Sequence, residues 1–260
     1  SSFPINWSSA IEKEIDTIEG RNVWEDCKLE SVPNLLNTTW TFKLKENTHD
    51  SVSIPKARLC VQGFDQLEGI DYDDTWAPTG KVASLRTLLT YALDQKLPIL
   101  QLDVKGAFLH SPLTEDVYIK RPQGCKRSTP ILKLNKSLYG LKQAPANWYK
   151  HLCKWIVEQG YIESSCDPCI YIKNSNKSAL FFHVDDLVVV GEVETFKNAF
   201  LKNFPDSSAH EPNTLLGMKF VQQHDKILLS LSTHIKKGID ELQLQDAHPT
   251  NTPFSCNTQL

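Results

Sequence analysis

No apolar run in this 260-residue chain approaches the length of a membrane span, which excludes an ordinary transmembrane helix. Its first residues, SSFPINWSSA, carry neither an initiator methionine nor the pattern of a secretory signal. Such a start is expected of a chain trimmed for expression or excised from something longer. Internal repeats and low-complexity tracts are missing too, which argues against a repeat architecture. Basic charge is not in excess: 28 Lys and Arg against 31 Asp and Glu give −3 and a pI near 6.2. Taken globally, that balance argues against a nucleic-acid binder. The seven cysteines, at 27, 60, 125, 153, 166, 169 and 256, are odd in number and lack a secretory signal. They read as free thiols in a reducing compartment. Cys166 and Cys169 form a lone CxxC, CDPC, with no second pair to complete four zinc ligands. Its Asp-Pro centre suits a turn, which is favoured there over metal or redox chemistry.

What is present is ordinary globular composition, 40% hydrophobic and 23% charged, enough for one large domain or two to three subdomains. The charge is uneven. Residues 1–36 hold seven acidic and three basic side chains. Residues 105–154 hold ten basic side chains and only two acidic ones, Glu115 and Asp116. That local excess reads as a phosphate-binding face or, equally, as a solvated surface.

Apolar spacing predicts a first helix over 8–24, capped by Ser8 or Ser9 and stopped at Gly20. Alternation predicts a strand over 38–44 that returns as KARLCVQGF, joined by the polar turn KENTHDSVSIP. A helix over 84–93 and a strand over 99–104 follow, then Pro-rich loops around KRPQGCKRSTP. The clearest helix is APANWYKHLCKWIVEQGY, 144–161. Two short strands come next, then a helix over 194–204, a hairpin over 215–232 and a last helix over 233–244. Strands and helices mix without regular βαβ alternation, so the expected class is α+β.

Two acidic sites share one feature. Asp103 ends an apolar strand, and Asp185 with Asp186 interrupt another, FFHVDDLVVVG. A lone DD between strands is most often a hairpin turn. Here only His183 breaks the apolar flanks, so the turn is expected to be tight. Three carboxylates converging from two strands would repel one another, and hard divalent cations relieve that. Two Mg²⁺ ions about 3.5–4 Å apart clamp the attacking and leaving oxygens of a phosphoryl transfer.

Five stretches carry a family resemblance: KARLCVQGFDQLEGIDYDDTWAPTGKVASLRTLL, QLDVKGAFLHSPLTEDVYIKRPQG, KLNKSLYGLKQAPANWY, HVDDLVVVG and LLGMKF. In order and spacing they resemble the reverse transcriptases of copia-type retrotransposons, and NVWE and the late TPF resemble that family's domain edges. The resemblance covers nearly the whole chain. It implies an α+β right-hand polymerase with fingers at 1–80 and 112–146 and a ferredoxin-like, split β-α-β palm at 81–111 and 147–221. A short thumb begins at 222–260, and RNase H is expected to be absent. It further implies RNA-directed DNA synthesis with two Mg²⁺ ions, or Mn²⁺, held by Asp103, Asp185, Asp186 and the Val104 carbonyl, Asp186 mattering least.

By the same resemblance, Lys56 and Arg58 grip the triphosphate, although edge-strand charge accounts for them as well. Phe108 resembles the aromatic beneath the incoming sugar, or is a core Phe. Tyr139 and Gly140 flank the nucleotide, with Lys142 near the template. His183 and Val184 lie at the primer end, with Leu215, Leu216, Gly217 and Met218 as a primer grip that sequence cannot distinguish from a plain apolar hairpin. Implied partners are primer with RNA or DNA template, deoxynucleoside triphosphates, and RNase H and integrase of one polyprotein. No membrane is implied, oligomeric state is left open, and the implied place is a cytoplasmic virus-like particle, with the nucleus as alternative. Two departures stand out: His183 where the family has Tyr, and TWAPT for TFAPV; neither removes a metal ligand. The rival readings are a non-catalytic nucleic-acid-binding relative and an unrelated two-metal phosphotransferase.

Overall fold

A computed structural model describes residues 6–28, 31–46, 53–173 and 177–248. The tip of the first hairpin, TPF, Cys256 and the end of the expected thumb lie outside the described residues.

The chain opens with α1 (Trp7–Gly20), whose N-terminus is capped by the Asn6 side chain accepting from the Ser9 N–H, two to three residues earlier than expected. Val23 and Trp24 leave the helix, Trp24 starting β1 (Trp24–Asp26). A long hairpin follows, β2 (Thr38–Glu46) and β3 (Ser53–Val61), so Ile54 and Pro55 are strand rather than turn. Next come α2 (Val82–Asp94), β4 (Ile99–Asp103), β5 (Pro112–Lys120) and β6 (Ile131–Lys136). β5 and β6 are not apparent from the sequence pattern: three consecutive buried residues, Val117 to Ile119, break the alternation of β5, and β6 is short and follows a stretch rich in Pro and Gly. After α3 (Ala144–Glu158) come β7 (Ile162–Glu163), β8 (Ile170–Lys173), β9 (Ser178–His183) and β10 (Asp186–Val190). The chain continues through α4 (Val193–Asn203), β11 (Ser208–His210), β12 (Thr214–Leu215), β13 (Met218–Gln222), β14 (Ile227–Ser230) and α5 (Ser232–Glu241).

The central sheet has six strands in the order β11-β4-β10-β9-β8-β7, every pair antiparallel. Period-two alternation explains why FFHVDDLVVVG is apolar on both sides of its aspartates. Leu180, Phe182, Leu187 and Val189 face a core built with Trp148, Leu152 and Trp155 of α3 and Phe196 and Phe200 of α4. Phe181, Val188 and Val190 face the opposite way, onto Leu85, Leu88 and Leu89 of α2. Both faces of these strands are therefore covered, and the aspartates are left at their ends.

A second core joins α1, β3 and the three-stranded sheet β1-β6-β5. Phe108, in a short 3-10 turn after β4, packs against both cores. CDPC is a turn, as expected. Buried Asp167 accepts from the Cys169 and Lys81 backbone N–H groups and from the Ser84 hydroxyl, tying the turn to the start of α2. Among the described residues no helix is long and apolar enough to cross a membrane.

His110 sets an acid limit on this fold. It lies edge-on to the Phe204 ring beside Trp148, with Nε2 buried and unpartnered. Burial, then Arg21, pushes its imidazole down to about 4 from 6.5. The unfolded chain therefore takes up a proton near pH 6.5 that the folded chain refuses until about pH 4, so stability is lost as pH falls through that window. Thermal melts between pH 7 and pH 4.5 should show a steeper loss for the original chain than for His110→Phe.

Candidate active site

Antiparallel pairing sets Asp186 directly opposite Asp103, so both side chains rise from the same face of the sheet. β9 ends at His183 and β10 starts at Asp186, leaving Val184 and Asp185 as a two-residue turn. Val184 has φ +58°, a left-handed conformation that a β-branched residue rarely adopts and that costs about 1–3 kcal/mol. Three hydrogen bonds hold the turn against that strain. The Val104 N–H donates to the Asp185 carbonyl (3.2 Å), and the Trp148 indole N–H donates to the Val184 carbonyl (2.7 Å). His183 Nδ1 donates to the Gly80 carbonyl (3.1 Å). Asp103, Asp185 and Asp186 thus stand at one end of the sheet.

The electrostatics match that crowding. Burial pushes the Asp185 carboxyl above the usual range, with Asp103 adding repulsion, while Arg58 and Lys56 pull it back. Asp186 is raised by burial, then by Asp185 and Asp103. Asp103 and Asp185 keep solvent-exposed surface, although surrounding protein crowds the Asp185 carboxyl, and Asp186 is half-buried. The donors are all oxygens, which suits a hard divalent cation. Among the described residues, no three or more His, Cys, Asp or Glu side chains are arranged to hold an ion by themselves. The set therefore fits a site completed by substrate oxygens, as Mg²⁺ sites commonly are, better than an all-protein cage.

Period two places Lys56 and Arg58 on one face of β3, with Ala57, Leu59 and Val61 buried on the other. The Arg58 guanidinium lies 5.1 Å from the centre of the Tyr139 ring, which also meets Phe108 edge-on at 5.3 Å. Burial raises the Tyr139 hydroxyl to about 12, so it stays protonated. Gly140 has φ +90°, and a methyl group added there would run into the Val61 carbonyl, whose residue's N–H already bonds Tyr139. Gly140→Ala is expected to cost about 3 kcal/mol or more, measured by urea denaturation, because it adds a backbone clash to a disfavoured φ.

Three other groups act through contacts that only the fold brings together. Trp148 stood out only as a helix-face aromatic; its bond to Val184 joins residues 36 positions apart. Gln101 is buried two residues before Asp103, lies close enough to Asp186 to lower its carboxyl, and donates to the Thr214 carbonyl (2.9 Å). It thereby ties the carboxylates to the β12–β13 hairpin, whose turn residues Leu216 and Gly217 have φ +50° and +76°. Gln143 and Gln66 bond each other inside the protein and link the loop after β3 to the start of α3. Lys142 bonds the Gln66 carbonyl and lies over the Tyr72 ring. The basic stretch 105–154 is less exposed in charge than its composition suggests. Arg127, Lys133 and Lys150 are paired with Glu19, Asp116 and Asp74, and Arg121 and Lys136 donate to backbone carbonyls.

An antiparallel sheet that presents three carboxylates beside cationic residues on a separate hairpin defines a mixed α/β chain with a polymerase-like fold. Residues 21–256 match the family described as "Reverse transcriptase (RNA-dependent DNA polymerase)", and the chain belongs to that family, in its copia-type retrotransposon branch. It is 34% identical to the Retrovirus-related Pol polyprotein from transposon TNT 1-94 of Nicotiana tabacum, over 96% of this chain and 20% of that protein. It is 32% identical to the Pol polyprotein from transposon RE1 of Arabidopsis thaliana, over 98% of this chain and 18% of that one. With the truncated transposon Ty1-A Gag-Pol polyprotein of Saccharomyces cerevisiae it shares 27% identity, over 95% of this chain and 21% of the relative. The chain thus spans about a fifth of the length of the relatives it matches.

Proposed function

We propose that this chain is an RNA-directed DNA polymerase that extends a primer by two-metal nucleotidyl transfer. The carrying observation is the register pair Asp103–Asp186 with Asp185 on a strained, three-way anchored turn that faces Arg58 and Lys56. Asp103, Asp185 and the Val104 carbonyl would hold the ions, with Asp186 beside them. When bound, Mg²⁺ supplies acidification of the primer 3′-hydroxyl and neutralisation of triphosphate charge. Arg58 and Lys56 receive the phosphates, Arg58 in a fork that its stacking on Tyr139 pre-orients. Phe108 and Tyr139 form the floor under the sugar, and Phe108 excludes a 2′-hydroxyl by bulk. The Leu216–Gly217 turn, tied to Asp186 through Gln101, holds the primer end beside His183 and Val184.

In this reading the fingers are 1–80 and 112–146, the palm 81–111 and 147–221, and the thumb begins at 222. Lys142 lies toward the template. The working partners are primer with RNA or DNA template, nucleotides, and RNase H and integrase of the same polyprotein, within cytoplasmic virus-like particles. A non-catalytic nucleic-acid-binding relative is the second reading, to which the departure at His183 from the family's Tyr gives room. Primer extension with single nucleotides on an RNA template separates the two. Incorporation of dTTP opposite adenine alone supports a polymerase. Binding of primer–template without any incorporation in Mg²⁺ or Mn²⁺ supports the other.

A further inference from the structure

Glu14 is a half-buried acid that the nucleotide reading leaves without a task. It projects from α1 into a cavity of about 230 Å³ whose other walls include Lys13, Lys56, Arg58, Lys105 and Tyr139. Its carboxylate meets the Leu59 backbone N–H, while Oε1 is buried and has no hydrogen-bond partner. Burial raises the carboxyl, against the pull of Lys56, Arg58 and Arg21. Glu14 also bears on the Tyr139 hydroxyl, together with Arg58 and Asp185. One anion therefore stands inside a pocket whose remaining charged walls, Lys13, Lys56, Arg58 and Lys105, are all cationic.

Such a placement works against tight binding of polyphosphate. Attraction between the lysine and arginine walls and an incoming anion is offset by repulsion from a carboxylate in the same partly shielded pocket. We propose that Glu14 sets the affinity of the nucleotide pocket, offsetting part of the field of Lys56, Arg58 and Lys105 so that triphosphate is held loosely and pyrophosphate leaves readily. This rests on the reading of that pocket as the triphosphate site.

The test is titration calorimetry of the whole chain with pyrophosphate and with dTTP in Mg²⁺, for the original protein and Glu14→Gln. Glutamine keeps the length of the side chain and an acceptor for Leu59 while removing the charge. The expected result is a fall of about tenfold in both dissociation constants, the size of a unit charge acting at roughly 10 Å in a partly shielded site. Glu14→Asp should stay near the original. A purely structural role for Glu14 would not raise affinity. Unchanged or weaker binding by Glu14→Gln, with a melting curve matching the original, overturns the proposal. Should Glu14→Gln fail to fold, Glu14→Met carries the same expectation and the same refutation. If the original chain binds neither ligand, the triphosphate reading of the pocket fails first and this inference with it. If the original binds both and Glu14→Gln changes nothing, only the role of Glu14 falls.

Discussion

Asp185→Asn is expected to reduce primer extension by on the order of a thousandfold or more while leaving the folded chain as stable as before, or more so. The two effects have one cause. Asp185 sits where burial and the Asp103 carboxylate both disfavour its charge, and its carboxyl is accordingly raised. A carboxyl raised by folding destabilises the fold at neutral pH, and that penalty is relieved as pH falls through its folded value. Asparagine removes the penalty at all pH values and keeps the size of the side chain. It also removes a negative oxygen that no neutral amide replaces toward a divalent cation. Melting curves in the absence of divalent ions should therefore show a midpoint for Asp185→Asn equal to or above that of the original. In the presence of Mg²⁺ any upward shift of the original should be lost in the variant. Retained extension, or a variant that unfolds, would contradict the role assigned to Asp185.

Trp148→Phe is expected to lower both stability and primer extension. The indole N–H is the partner of the Val184 carbonyl at 2.7 Å, and Trp148 is 1% exposed in a ring cluster with Phe204 and His110. Losing that donor leaves a carbonyl at the turn without it, and the smaller ring leaves a void. Together these cost about 2–4 kcal/mol. The functional consequence follows from strain. With the clamp removed, Val184 at φ +58° can relax toward ordinary backbone angles and carry Asp185 with it. Trp148 is thus a positioning residue, and a readout besides stability is needed. Glycine adopts φ +58° without penalty, so Val184→Gly in the Trp148→Phe background should restore part of the lost extension rate without refilling the void. A double variant no more active than Trp148→Phe would show that the indole matters only to packing.

Much of the site could be read from the residues, and the reason is local. Asp103 closes an apolar strand, and FFHVDDLVVVG is a hairpin whose flanks are buried on both faces, so the sequence itself marks where the carboxylates stand. Period two likewise put Lys56 and Arg58 on one face of β3. What could not be read is non-local. Nothing near Trp148 reveals that its indole reaches Val184, nothing near Gln101 reveals Thr214, and Glu14 looks like any polar position on an amphipathic helix. The strands β5 and β6 were hidden by the prolines and glycine between them. The late hairpin became three strands because Leu216 and Gly217 make a tight turn of their own within it. The local charge excess at 105–154 also lost much of its apparent meaning, since its partners Glu19, Asp26 and Asp74 come from outside that stretch.

The most direct test of the central claim is single-nucleotide addition to an oligo(dT) primer on poly(rA), with and without Mg²⁺, for the original chain and Asp103→Asn. Asp103 lies on β4 and Asp185 on the β9–β10 turn, and two-metal transfer needs both strands to supply the same centre. Addition of dTTP should require the divalent ion and disappear in Asp103→Asn, with both proteins binding the primer–template. Equal addition by the two proteins, or addition that persists after the divalent ion is removed, would contradict that claim.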